Sequence, residues 1–67
     1  MRIDMTSAER AKAIRKASGL TQAAFAERYG IPKRTIENWE GGQRTAPEYV
    51  LDLLERVVSE DAKKQEV

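Results

Sequence analysis

The chain of 67 residues contains no cysteine and no histidine. The first absence removes disulfide staples and thiolate nucleophiles, and the second removes imidazole acid–base chemistry. Together they exclude zinc clusters of the usual Cys/His type, and nothing else in the composition calls for a metal or a cofactor. No run approaches the roughly 18 apolar residues of a membrane span, and the opening MRIDMTSAER lacks the apolar stretch of a secretion signal. The expectation is a soluble, unprocessed, cytoplasmic protein. A chain this short buries only about 60% of its unfolded surface, which allows one core, and neither an internal repeat nor a linker interrupts it. Residues 1–67 are therefore read as one domain, ordered over about 5–60 and frayed over 61–67. With no nucleophile–base pair and too little chain to wall a cleft, an enzyme is not expected.

Charge is sorted along the chain. Residues 1–44 carry nine basic against five acidic side chains, and residues 45–67 carry three against six, so a net +1 divides into +4 and −3. A basic body followed by an acidic tail points to a polyanionic partner met by the first two-thirds, although a solvated charged surface has the same composition.

Periodicity and punctuation predict helices throughout and no strand. Thr6-Ser7-Ala8-Glu9 has capping-box spacing, so a first helix starts near Ser7, turns Ala11, Ile14 and Ala17 to one side, leaves Lys12, Arg15 and Lys16 as a solvated face, and stops at Gly19. Thr21 caps a second helix, Gln22 to Tyr29, closed by Gly30. A third begins at Pro32, where proline loses no needed hydrogen bond, and reaches Trp39 or Glu40 before Gly41-Gly42. Thr45-Ala46-Pro47-Glu48 repeats the capping-box spacing ahead of a last helix rich in apolar residues.

The stretch QAAFAERYGIPKRTIENWE sets two short helices on either side of a glycine turn too tight for an antiparallel pair. Phe25, Ile31, Ile36 and Trp39 are expected inside, with Ala26 at the point where the helices come closest. That leaves Lys33, Arg34, Glu37 and Asn38 on the free face of a helix able to enter a major groove. Trp39 could stack on a base, but its spacing from Ile36 marks it as core. Lys33 and Arg34 could merely solubilise, and Glu37 could pair with either of them.

Over IRKASGLTQAAFAERYGIPKRTIENWEGGQRTAPE the sequence resembles the Cro and phage-repressor helix-turn-helix group, the XRE family, through G-L-T-Q, A-x-x-x-G-[VI], an aliphatic residue and W-E-x-G. It departs from the family pattern in one extra residue between Arg44 and Pro47. The resemblance implies an all-α, lambda-repressor-like bundle of four to five helices, acting as a dimer on a near-palindromic stretch of double-stranded DNA. Carried over by position, Gln22 corresponds to a phosphate-binding glutamine. Lys33, Arg34, Glu37 and Asn38 correspond to base-contacting residues, and Thr35, Gln43 and Arg44 to backbone clamps.

The last helix has more apolar surface than one core stripe needs. Tyr49, Leu53 and Val57 lie a third of a turn or more from Val50, Leu54 and Val58, so they are expected to form a two-fold contact. The expected function is a sequence-specific, repressor-type transcriptional regulator. An antitoxin, binding both its operator and a toxin through that apolar edge, is one alternative. A protein-interaction module that kept the fold without DNA binding is another.

Overall fold

The computed structural model describes residues 6–65, and all regular structure among them is helical: α1 (Ser7–Ser18), α2 (Gln22–Tyr29), α3 (Lys33–Gly41) and α4 (Glu48–Gln65). This is the all-α bundle expected, at the four-helix end of its range. Residues 1–5 and 66–67, which include the last part of the expected frayed tail, lie outside the described residues.

Local chemistry explains most of the boundaries. At the start of α1 the Thr6 hydroxyl accepts from Glu9 N–H at 3.1 Å while the Glu9 carboxylate accepts from Thr6 N–H at 2.9 Å. Two backbone donors that a helix start leaves unpaired are thereby satisfied. Thr21 does the same for Ala24 N–H at 3.2 Å and opens α2. Between α2 and α3, Gly30 takes φ 69°, a left-handed conformation that costs any residue with a Cβ. There Ile31 N–H donates to Ala26 C=O at 3.0 Å, closing the turn over the end of α2.

Four sequence expectations are corrected. Pro32 is the cap of α3 rather than its first residue, and its carbonyl accepts from Thr35 and Ile36 N–H. Thr45 makes no capping-box bond with Glu48; α4 opens at Glu48 rather than at Ala46, where such a box would start it, with Pro47 C=O accepting from Val50 and Leu51 N–H. Ala17 is exposed, because α1 turns it past the edge of the core. Finally, α4 continues through 61–65 instead of fraying. Asp61 holds this end, accepting from the Tyr29 hydroxyl at 2.7 Å and from Arg28 Nε at 3.1 Å.

The core gathers Ala11 and Ile14 of α1, Phe25 and Ala26 of α2, Ile36 of α3, and Leu51 and Val58 of α4, with Leu20, Tyr29, Ile31, Trp39 and Leu54 packed around them. Ala46, from the loop before α4, completes it. Burying each large aliphatic or aromatic side chain contributes about 1.5–3 kcal/mol, which is why α2, only two turns long, holds its shape. Helix α1 touches the other three, α3 packs on α1 and α2, and α4 packs on α1. Arg10 reinforces the α1–α4 seam by donating to Asp52 at 3.0 Å and Glu55 at 3.4 Å.

Candidate nucleic-acid interface

Helix α3 presents two unlike faces. Ile36 is 3% exposed and Trp39 packs against the core. Lys33, Arg34 and Glu37 are exposed on the other side, with Asn38 half-buried. This division follows from the helical period, since Ile36 and Trp39 share one side of the helix while Arg34, Glu37 and Asn38 lie across from them and Lys33 at the edge. Lys33 and Glu37 form an exposed pair at 3.6 Å, one helical turn apart. Such pairs are held by only about 0.3–0.5 kcal/mol, so either side chain can exchange its partner for a base or a phosphate. Arg34 forms no ion pair among the described residues.

Beside this face runs a shallow depression bordered by Arg34, Thr35, Asn38 and Arg44, with Pro32, Trp39 and Thr45 completing it. Four of the eight residues named from sequence as DNA contacts therefore converge on one place. The loop that brings Arg44 there is pinned at both ends: Arg44 N–H donates to Asn38 C=O at 3.2 Å, and Ala46 is 4% exposed. The extra residue that separates Arg44 from Pro47 is absorbed between those anchors. Gln43 is exposed, and its amide folds back over Gly41, where a Cβ would collide with it.

Gln22 is placed differently. It is the first residue of α2, half-buried, and its Nε2 donates to Glu40 Oε1 at 3.1 Å. Its other amide N–H and the positive end of the α2 dipole remain for an anion.

Glu40 and its partner Arg15 are the residues that sequence reasoning missed. Arg15, read as part of a solvated face, is 16% exposed in its side chain and pairs with Glu40, which is only 4% exposed. The contact is two-pronged, Nε to Oε2 at 2.7 Å and Nη2 to Oε1 at 3.1 Å, and Nη1 also donates to Leu20 C=O at 3.0 Å. Burial alone would raise the Glu40 carboxyl, but the hydrogen bonds from Arg15 and Gln22 overrule it and hold the group below the ordinary glutamate range. The network joins α1, the start of α2 and the end of α3, and so fixes how α3 is held out from the body. The available signal was Glu40 directly after the inward Trp39, a charge placed at the edge of the core and in want of a partner.

A helix-turn-helix family model matches residues 12–58, more than two-thirds of the chain. Searches of the curated proteins and of the solved structures gave no match.

Proposed function

Because the chain belongs to the XRE family of helix-turn-helix DNA-binding regulators, we propose that it binds duplex DNA in a sequence-dependent way, as a dimeric repressor-type regulator. The carrying observation is the free cationic front of α3: Lys33 and Arg34 stand exposed at its first turn while Ile36 and Trp39 anchor its back. In this reading α3 enters the major groove. Arg34 and Lys33 suit guanine O6/N7, Asn38 suits adenine N6/N7, and Glu37 accepts from cytosine N4, each good pairing discriminating by about 1–3 kcal/mol. Thr35, Gln43, Arg44 and Gln22 meet phosphates and set the register. Tyr49, Leu53 and Val57 join two copies, so that two α3 helices reach half-sites about 34 Å apart.

The exposure of Tyr49, Leu53 and Val57 also favours a second reading, an antitoxin whose toxin docks on α4. Co-purification of a stoichiometric toxin encoded beside this chain would select it over a stand-alone regulator. No helix among the described residues is long and apolar enough to cross a membrane, and the cytoplasm is the compartment we propose.

The test is selection of bound sequences from a random duplex library at low ionic strength. A palindromic consensus with half-site centres about 10 base pairs apart is the expected result. Absence of any retained duplex in dilute buffer would overturn the reading.

A further inference from the structure

Short as the chain is, parts of three helices leave a cleft of about 490 Å³ between them. Small-molecule sites span about 300–1,000 Å³, so the space suits a compact ligand. One wall is the end of α1 with the turn that follows it; the others are the end of α2, at Arg28 and Tyr29, and the later turns of α4, at Val58, Asp61 and Ala62. The cleft shares no residue with the depression beside α3.

Its lining has an apolar part and a polar part. Leu20, Val58 and Ala62 supply the first. The second is the pair of Arg28 and Asp61, joined from Nε to Oδ2 at 3.1 Å, with the Tyr29 hydroxyl donating to the same Oδ2 at 2.7 Å. These bonds occupy one oxygen of the carboxylate and one nitrogen of the guanidinium. Among the described residues Asp61 Oδ1 accepts from no donor, and Arg28 Nη1 and Nη2 donate to no acceptor. The Asp61 and Arg28 side chains are 23% and 47% exposed, so neither is sealed from a ligand. The free fork of Arg28 matches a carboxylate, and the free oxygen of Asp61 matches an ammonium.

Charge then selects among ligands. A lone carboxylate set on Arg28 would stand beside Asp61, and a lone amine set on Asp61 would stand beside Arg28; each would meet repulsion from its neighbour. A zwitterion with both charges on one carbon avoids this, because the four charges alternate in sign. The substituent on that carbon is the part left to cover the apolar lining.

We propose that this cleft binds a free α-amino acid with an aliphatic side chain. Arg28 Nη1 and Nη2 hold its carboxylate, Asp61 Oδ1 holds its ammonium, and its side chain lies against Leu20, Val58 and Ala62. The occupant bridges α2 and α4 and so favours the folded state by mass action.

The experiment is an amide NMR titration of the full chain with L-leucine to about 20 mM, since a ligand of this size is held in about the millimolar range. Saturable shifts confined to residues 17–20, 28, 29 and 58–62 are expected. Glycine lacks the side chain, leucinamide the carboxylate and N-acetyl-leucine the ammonium, and each should bind at least about tenfold more weakly. Arg28→Gln should weaken leucine to the level of leucinamide while leaving leucinamide unchanged, a coupling that general loosening of the fold would not produce. Ala62→Leu, which places a larger group in the cleft and leaves the polar pair intact, should abolish binding; circular dichroism establishes that both variants remain folded. Shifts that fail to saturate or that scatter over the whole surface would overturn the proposal. So would any of the three analogues binding as tightly as leucine, or Ala62→Leu binding it like the parent. The analogue series needs no variant, and none of these readouts involves DNA, so the outcome is separate from that of the duplex selection.

Discussion

At Glu40 a carboxylate with 4% side-chain exposure is held by Arg15 and Gln22. Removing one member of such a pair leaves the other charge buried without compensation, and that penalty exceeds what the intact pair contributes. Glu40→Ala is expected to cost about 3 kcal/mol, a large share of the roughly 3–10 kcal/mol available to a chain of this length, and Glu40→Gln less; urea denaturation measures both. The carboxyl is held below the ordinary glutamate range, so its contribution is whole at neutral pH and is lost as pH falls from that range through the lower folded value. Asp61 behaves in the same sense, lowered first by the Tyr29 hydroxyl and then by Arg28, so both carboxylates favour unfolding in acid. Arg34 and Arg44 border one depression but should separate in function. Arg34→Ala is expected to relax base preference at one position by about 1–3 kcal/mol, and Arg44→Ala to weaken every duplex alike; titration of matched and mismatched duplexes reads both.

Among the elements, the turn between α2 and α3 is the one whose shape the function depends on. Gly30 stands at φ 69° with open space where a Cβ would go, so Gly30→Ala meets only the backbone penalty of about 1 kcal/mol. A thermal melt should show a fall of about 4–8 °C with the fold retained. Helix α2 has the residue range read from Thr21 and Gly30, because a cap and a left-handed closure are both encoded within one turn of the chain. Thr45 was misleading for the opposite reason: its spacing to Glu48 fits a capping box, but Ala46 is drawn into the core and α4 starts after Pro47. A polar sequence after Ser59 reads as a frayed end, and only the arrival of α2 beside Asp61 gives that segment something to hold.

For the whole molecule, the measurable consequence of the proposed role is counterion release. If only Arg44 meets phosphate in each of two copies, the logarithm of affinity should fall with the logarithm of salt at a slope of about 2, rising to about 5 if Lys33 and Arg34 also do so. A slope near zero in a filter-binding series would remove DNA as the partner. The free face of α3 was legible because a helix that turns Ile36 and Trp39 inward must turn Lys33, Arg34 and Glu37 outward, whatever surrounds it. The spare ridge of α4 was legible for the same reason. Helix period, caps and glycine stops act over four or five residues, and the sequence by itself determined these. Which charges meet, and which of them lose their water, did not follow from any such rule: Arg15 and Glu40, the desolvated pair, are 25 positions apart, Arg28 and Asp61 are 33 apart, and each pair meets only because other helices bring the two residues together. The tertiary structure alone decided them, since burial of a charge depends on every element that excludes solvent from it.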